Sequence, residues 1–268
     1  MVSDEAKNAG VLQAFTVAYW VFTILTMPVF FALALVIFLV TWPFDRRRVA
    51  LQLFSCFWAS FYVYANPLWR ARIRGRARLP WHGAAVIVAN HLSLADILVL
   101  YGLYRPFKWV SKAEIFKVPA VGWNMLLNDY VRLMRGDRES IRAMMQHCRR
   151  HLAHGSPLLI FPEGTRSRDG KLQAFKDGAF KLAREAKVPV IPIAIQGTYE
   201  ALPKHGFVMR RRMDARVQVL EPLDPAHFGS VAELRDAARA AIAQAIGQGE
   251  TAAPAPPTAA PTASAAHR

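Results

Sequence analysis

Three apolar runs decide the fold of this 268-residue chain: AAVIVA at 84–89, PLLIFP at 157–162 and VPVIPIAI at 188–195. Each run is short and uncharged and lacks polar alternation, which is typical of strands that are buried on both faces of a sheet. Residues 138–153 and 175–187 lie between the runs and carry apolar residues at helical spacing. Strands that alternate with helices predict an α/β fold with a mainly parallel sheet flanked by helices.

The N-terminal part of the chain is far more apolar than the rest. No charged residue occurs between Lys7 and Asp45, and about 20 apolar residues are enough for a helix to cross a bilayer. The stretch is too long and too uniformly apolar for a signal peptide. We therefore expect one transmembrane helix that ends near Trp42, with Pro28 as the place for any kink, in a membrane anchor formed by residues 1–48.

A second charge-free run, Val49–Trp69, is richer in aromatic and small polar residues. That composition suits the membrane interface better than the bilayer centre, so residues 49–80 are predicted to form an interfacial helix and a basic linker. The arginine cluster Arg46–Arg48 separates the two runs. Because basic loops stay on the cytoplasmic side, we expect a single crossing of the inner membrane, with everything after the cluster cytoplasmic.

Arginines alternate with other residues at positions 70, 72, 74, 76 and 78. In an extended segment this spacing places the guanidinium groups on one side, where they could lie on lipid phosphates or protect an edge strand. The whole chain has 34 Lys and Arg against 19 Asp and Glu, a net charge of +15, which favours anionic partners. Beside an apolar anchor, membrane phospholipids are better candidates than nucleic acid.

The rest of the chain divides into one expected domain at 81–248, whose last helix covers 231–247, and a tail at 249–268. The tail is dominated by Ala, Pro and Thr and is predicted to be disordered. The two cysteines, Cys56 and Cys148, have neither metal-ligand nor disulfide-framework spacing. We therefore expect no catalytic thiol and no bound metal.

The first candidate site is NHLSLAD, Asn90 to Asp96, directly after the strand at 84–89. Sites in open α/β sheets gather at the carboxyl ends of strands. His91 could act as a general base there, with Asp96 holding its other ring nitrogen. An alternative is purely structural, because Ser93 and Asp96 also have the spacing of a helix capping box.

The second candidate site is FPEGTRSR, Phe161 to Arg168, which again follows an apolar strand. A turn at Gly164 can expose backbone N–H groups, Thr165 adds a hydroxyl donor, and Arg166 and Arg168 can bracket a phosphate. The alternative is an ordinary basic loop in which Glu163 pairs with Arg166.

Taken together, the motifs resemble the glycerolipid acyltransferase family, which includes bacterial 1-acylglycerol-3-phosphate acyltransferases. The resemblance covers residues 70–222 in four ordered blocks: NHLSLAD, a weaker block from Gly122 to Arg135, FPEGTRSR, and VPVIPIAIQG at 188–197. One departure is that Asp129 stands where the family often has glycine, six positions before its phosphate-binding arginine. This leaves either Arg132 or Arg135 as that arginine.

The resemblance implies that His91 accepts a proton from the acceptor hydroxyl as it attacks an acyl thioester, while Asp96 holds the imidazole. It implies that the acceptor phosphate is bound by Arg135, Glu163, Gly164, Thr165 and Arg166. The acceptor would be lysophosphatidic acid and the product phosphatidic acid, with acyl-coenzyme A or acyl carrier protein as co-substrate and no bound cofactor. Alternatives are glycerol 3-phosphate or a lyso-aminolipid as acceptor, or a non-catalytic lipid-binding protein.

Overall fold

The computed structural model describes residues 2–199, 201 and 212–248. Within these residues the chain forms one α/β fold, in agreement with the fold class predicted from the sequence. The helices are α1 Val2–Thr41, α2 Val49–Ala65, α3 Ala95–Tyr101, α4 Val121–Leu127, α5 Arg138–Ala153, α6 Gly178–Ala186 and α7 Val231–Ala245. The strands are β1 Trp69–Arg74, β2 Val86–Ala89, β3 Lys108–Lys112, β4 Val131–Leu133, β5 Leu158–Ile160, β6 Val190–Gln196 and β7 Met213–Val219.

The seven strands form one sheet in the order β1-β7-β6-β2-β5-β3-β4. Strands β6, β2, β5, β3 and β4 run parallel to one another. Strand β7 is antiparallel to β6, and β1 is parallel to β7. The sheet is therefore mainly parallel, and the carboxyl ends of β2, β5 and β4 lie at the same edge.

The three apolar runs form the centre of the sheet as β2, β5 and β6, and β2 and β6 are almost completely buried. The helix predicted at 138–153 coincides with α5, and α7 lies within the helix predicted at 231–247. The tail at 249–268 lies outside the described residues. Strand β1 pairs with β7, so the segment predicted as a basic linker contributes an edge strand to the sheet.

Strand β1 exposes its arginines on one side. Arg70, Arg72 and Arg74 are exposed, while the residues between them are less accessible. Arg72 forms an ion pair with Asp214 on the neighbouring strand at 2.9 Å. The alternation is thus that of a charged edge strand, and the arginine row still faces outward, where it could meet lipid phosphates.

Helix α1 continues through Pro28 without a break. Among the described helices, it alone is long and apolar enough to cross a membrane, over Gly10–Thr41. One side packs on the rest of the protein, where the Phe30 and Trp58 rings stack with centroids 5.6 Å apart. The other side exposes large apolar side chains such as Leu25, which is 71% exposed. This unpaired apolar side is the feature that a membrane would cover.

Helix α2 is more deeply buried than an isolated interfacial helix. It lies between α1 and α3, and Ser55 Oγ accepts hydrogen bonds from Asn124 at 3.0 Å and Asn128 at 3.1 Å. Phe57 and Tyr64 remain exposed. Its position at the interface therefore stays a prediction, which these two aromatic side chains fit.

Candidate active site

The two candidate loops meet at one edge of the sheet. The first follows β2 and the second follows β5, and these strands are direct parallel neighbours. The His91 N–H donates to Glu163 Oε1 at 2.8 Å, and the His91 carbonyl oxygen accepts from the Ser167 N–H at 2.8 Å. The histidine and the basic loop therefore lie side by side at this sheet edge, as the prediction of a shared site requires.

The His91 ring pairs with Asp96. His91 Nδ1 lies 2.8 Å from Asp96 Oδ2, and Asp96 is fully buried whereas 12% of the His91 side chain is exposed. An ionised carboxylate only accepts hydrogen bonds, so Nδ1 donates and the lone pair lies on Nε2. Nε2 makes no hydrogen bond to any described residue. This arrangement presents a basic nitrogen to the cleft.

Asp96 also builds the turn that holds the histidine. The same Oδ2 atom accepts from the Leu92 N–H at 2.6 Å and the Ser93 N–H at 2.8 Å. The Ser93 hydroxyl accepts from the Ala95 N–H at 3.2 Å. One carboxylate oxygen therefore stabilises the turn and contacts the ring. The predicted capping box is formed only in part, because α3 begins after Leu94 without a side-chain cap hydrogen bond, and the catalytic role stays a prediction.

Two residues at the site make contacts that were not predicted from the sequence. Thr198, just after β6, donates its hydroxyl to Asp96 Oδ1 at 2.5 Å and is fully buried. Phe161 stacks on the His91 ring with centroids 3.9 Å apart and planes at 9°. The only sequence signal was position, since both residues follow apolar strands of the matched blocks. Together they fix the carboxylate and the plane of the ring.

Glu163 joins the two loops. Its side chain is buried, with Oε1 bound to the His91 N–H and Oε2 accepting from the Gln173 N–H at 3.3 Å. These backbone groups, rather than Arg166, are the partners of the carboxylate. The pKa of Glu163 is raised to about 7, chiefly by burial and also by the nearby Asp96 charge, while the two backbone hydrogen bonds act in the opposite direction. Glu163 is placed to position the loops, and this role was not predicted.

The turn after Glu163 has the geometry that only glycine adopts easily. Gly164 has φ +73°, and a Cβ there would lie 2.9 Å from Lys176 Nζ. Thr165 and Arg166 follow in the same turn and are half-buried. Lys176, which is exposed, adds a cation against this turn that the sequence did not single out, because basic residues are frequent throughout the chain. The phosphate-binding role of this turn stays a prediction.

Arg132 and Arg135 lie at the same sheet edge as the two loops. The Arg132 guanidinium lies over the Phe116 ring at 5.0 Å, whereas Arg135 is exposed in the turn after β4. Strand β4 is two strands away from β5, which corresponds to about 10 Å. Arg132 is therefore held against an aromatic ring, whereas Arg135 extends into solvent. Which of the two binds the acceptor phosphate stays a prediction.

An apolar cavity of about 250 Å³ lies beside the cleft, between α1, α2, α3 and β3. Leu94, three residues after His91, lines it, as do Ala59 and Trp109. The Trp109 ring lies 5.7 Å from the Phe161 ring that stacks on His91. The cavity therefore begins close to the histidine. Strand β6 contributes no lining residue, which confirms that VPVIPIAI belongs to the core.

Neither cysteine is a nucleophile candidate, because Cys56 and Cys148 are both fully buried in helices.

Known proteins are similar to this chain in sequence and in fold. A family model described as Acyltransferase matches residues 70–196. A 1-acyl-sn-glycerol-3-phosphate acyltransferase of Chlamydomonas reinhardtii is 38% identical, over 91% of this chain and 74% of the relative. A chloroplastic protein of the same description from Brassica napus is 37% identical over 76% of this chain, and the match spans 58% of its own length.

The fold is also that of a solved structure. The crystal structure of the 1-acyl-sn-glycerophosphate acyltransferase PlsC from Thermotoga maritima gives a TM-score of 0.72, covering 90% of this chain and 97% of that one, at 24% identity. The sequence matches confirm the resemblance seen in the motifs. This chain belongs to the glycerolipid acyltransferase family.

Proposed function

We propose that this protein transfers an acyl group from an acyl thioester to the free hydroxyl of 1-acylglycerol 3-phosphate and so forms phosphatidic acid. One observation carries the proposal: a histidine with a free Nε2 and a glycine-turn loop rich in cations are joined by Glu163 at one sheet edge. A non-catalytic lipid-binding protein would need neither the buried His91–Asp96 pair nor this link.

The reaction follows from the geometry of the pair. His91 Nε2 removes the proton from the acceptor hydroxyl as its oxygen attacks the thioester carbonyl carbon. Asp96, 2.8 Å from Nδ1, stabilises the imidazolium that forms. When the carbon–sulfur bond breaks, the leaving thiolate takes the proton back from Nε2. An ester and a free thiol result, and the protein forms no covalent intermediate.

The phosphate of the acceptor would bind at the turn after Glu163. Gly164 permits close approach of the backbone, while Arg166, Lys176 and Arg135 supply positive charge at the same edge. Glu163 acts by holding this turn against His91 and not by contact with phosphate, because its buried carboxylate is already bonded to backbone N–H groups. A phosphate held there places the acceptor hydroxyl beside Nε2.

The cavity beside His91 suits an acyl chain. Its lining is mainly apolar, and residues of α1 and α2 contribute to it, so it lies between the anchor helices and the histidine turn. An acyl chain that enters from a membrane could thus reach His91 without crossing water. The co-substrate would be acyl-coenzyme A or acyl carrier protein, both anionic and suited to a chain of net charge +15.

We further propose that the exposed apolar side of α1 anchors the protein to the inner membrane, with the catalytic residues on the cytoplasmic side. Arg47 donates to the Trp81 carbonyl at 3.3 Å, and Arg48 donates to the Leu127 carbonyl. The basic cluster therefore lies against the catalytic part of the chain. Since such clusters stay in the cytoplasm, the catalytic part would stay there too.

The decisive experiment incubates the purified full chain with labelled acyl-coenzyme A or acyl carrier protein and a panel of acceptors that includes lysophosphatidic acid, glycerol 3-phosphate and a lyso-aminolipid. We expect phosphatidic acid as the main product. His91→Ala should lose about 10²- to 10⁴-fold in turnover, whereas the exposed His82→Ala should retain it. Preference for another acceptor would refute the proposed substrate, and full activity of His91→Ala would refute the mechanism.

A further inference from the structure

A second cluster of polar side chains lies away from the cleft, where α5 packs on the segment that enters β4. His147 and His151 are one helical turn apart on α5, and Asp129 faces both of them. One ligand atom from each of these residues lies within 4.8 Å of the other two. His151 is 8% exposed, and 24% of the His147 side chain is exposed. The cluster takes no part in the acyl transfer proposed above.

The distances from the two imidazoles to the Asp129 carboxylate are long for hydrogen bonds. His147 Nε2 lies 3.3 Å from Asp129 Oδ1, and His151 Nε2 lies 3.6 Å from Asp129 Oδ2. Good N–H···O hydrogen bonds are shorter, about 2.9 Å. Around a four-coordinate zinc ion with bonds of about 2.0–2.1 Å, however, neighbouring ligand atoms lie about 3.3 Å apart. The spacing therefore fits a shared metal ion better than two direct ion pairs.

The backbone at Asp129 also requires explanation. Asp129 has φ +57°, a conformation that favours glycine. Asp is among the few other residues that tolerate it. This chain thus places a carboxylate at a position suited to glycine, directly opposite two imidazoles.

We infer that Asp129, His147 and His151 form a binding site for a divalent transition-metal ion of the Zn²⁺ class. Two imidazoles and one carboxylate leave one position of a tetrahedral ion open for water. Imidazole ligands favour Zn²⁺ over Mg²⁺ or Ca²⁺, which require oxygen ligands. The ammonium of the buried Lys108, which donates to the Asn128 carbonyl at 2.6 Å and interacts with Asp129, opposes any cation at the site, so binding there depends on the imidazole and carboxylate bonds and not on the local charge.

Binding would require one local change. His151 Nε2 also lies 2.9 Å from the Asp129 carbonyl oxygen, to which it can donate a proton. A metal at Nε2 needs the neutral tautomer with its proton on Nδ1, so this hydrogen bond would be lost. In return, the ion would tie α5 to the start of β4, a three-residue edge strand. Arg132 and Arg135 follow Asp129 on this segment. The site was not expected from the sequence, where only cysteine spacing was considered.

The test uses the full chain in detergent, stripped with EDTA and then titrated with Zn²⁺, or with Co²⁺ as an absorbing probe. We expect about one ion per chain by elemental analysis, a visible Co²⁺ band typical of tetrahedral sites, and a thermal midpoint raised by roughly 5–10 °C at a hundredfold excess over the dissociation constant. None of these readouts depends on acyl transfer, so the result stands apart from the proposed function.

Two variants should abolish the site. Asp129→Gly removes the carboxylate at a position whose φ suits glycine, and His147→Gln removes an imidazole that is partly exposed. Each should weaken metal binding at least tenfold. His154→Gln, at the exposed position that directly follows the same helix, is the matched control and should bind as the wild type does. The inference is overturned if the wild type binds no ion, or if both variants bind it as tightly as the wild type.

Discussion

Replacing Asp96 with Asn should slow acyl transfer about a thousandfold while leaving the turn intact. The carboxamide oxygen can take the place of Oδ2 and keep the bonds from His91 Nδ1, Leu92 N–H and Ser93 N–H. The amide NH₂ then faces the Thr198 hydroxyl, which can also accept. Geometry and tautomer are conserved in Asp96→Asn, and only the negative charge is lost.

The magnitude follows from the charge that forms on the ring during the reaction. With the charge centres about 4 Å apart and an effective dielectric constant of about 20, the imidazolium and carboxylate attract by roughly 4 kcal/mol. Because this attraction exists only when the ring is protonated, its loss acts on the transition state. A barrier raised by about 4 kcal/mol corresponds to roughly 10³-fold in kcat. Asp96 is fully buried and touches no substrate, so KM should stay within about threefold of the wild-type value.

The assay compares kcat and KM of purified wild type and Asp96→Asn in lipid–detergent micelles. Asp224→Asn is the matched control, since Asp224 also caps a turn, with Oδ1 accepting from the Ala226 N–H at 2.9 Å, but is exposed. Circular dichroism and the thermal midpoint report the fold. If Asp96→Asn is folded and turns over within fivefold of the wild type, the carboxylate serves only the turn and the reasoning fails.

Three further predictions concern neighbouring groups. Glu163→Gln should stabilise the protein relative to the wild type increasingly as pH rises from about 4.5 to 7. The Glu163 carboxyl ionises at a lower pH in the unfolded chain than in the folded protein, where its pKa is about 7. The free energy of unfolding of the wild type therefore falls across this window by at most about 3 kcal/mol, which corresponds to roughly 6–12 °C in Tm. A pH-independent difference between the two Tm values would contradict this. Arg166→Ala should raise KM for the acceptor roughly 10- to 150-fold through lost charge-assisted hydrogen bonds, with kcat changed less; an unchanged acceptor KM would place the phosphate elsewhere. Ala59→Leu narrows the apolar cavity. It should lower kcat/KM for long acyl chains relative to short ones by about fourfold for each methylene that no longer fits in the cavity. Phe57→Leu, at an exposed position of the same helix, should leave this ratio unchanged.

The elements that could be predicted are those whose apolar residues follow a recognisable pattern along the sequence. The strands β2, β5 and β6 are continuous apolar runs, and α5 has clear helical periodicity. Strand β3 was missed because its sequence, KWVSK, begins and ends with lysine. The first lysine of β3, Lys108, can be buried because its ammonium donates a hydrogen bond to the Asn128 carbonyl. Burial lowers the pKa of Lys108 to about 7. Such a partner on another segment is not visible in the strand's own sequence.

The short and alternating strands were missed for a different reason. Strand β4 has only three residues, too few for a period to be recognised. Strand β7 does alternate between buried and accessible residues, but it carries Asp214 and Arg216 and pairs on one side with β1, which is distant in sequence. Its place in the sheet depends on long-range pairing and not on local composition.

At the site, the sequence predicted which residues would take part better than what each would do. The spacing of His91 and Asp96 predicted a pair, and the structure shows that the same carboxylate oxygen also caps the turn. Glu163 was assigned to phosphate with its loop, but its buried carboxylate holds the His91 backbone. That role could not be predicted, because the contact joins residues 72 positions apart in the chain.

The order of the strands explains how these distant residues come together. Strand β2 lies between β6 and β5, and three polar residues that follow it bind these neighbours or the segments after them. Asn90 continues the pairing with β6 by exchanging hydrogen bonds of 2.9 and 2.8 Å with the Ile195 backbone. His91 binds the loop after β5 through Glu163, and Asp96 binds Thr198 after β6. Because side chains alternate along a strand, a shift of β2 by one residue would bring Asn90 or Leu92 opposite Glu163 and turn the imidazole away from the cleft. The position of the proposed base is therefore fixed by the register of the central strands, and the apolar runs that determine the fold also determine the geometry of the site.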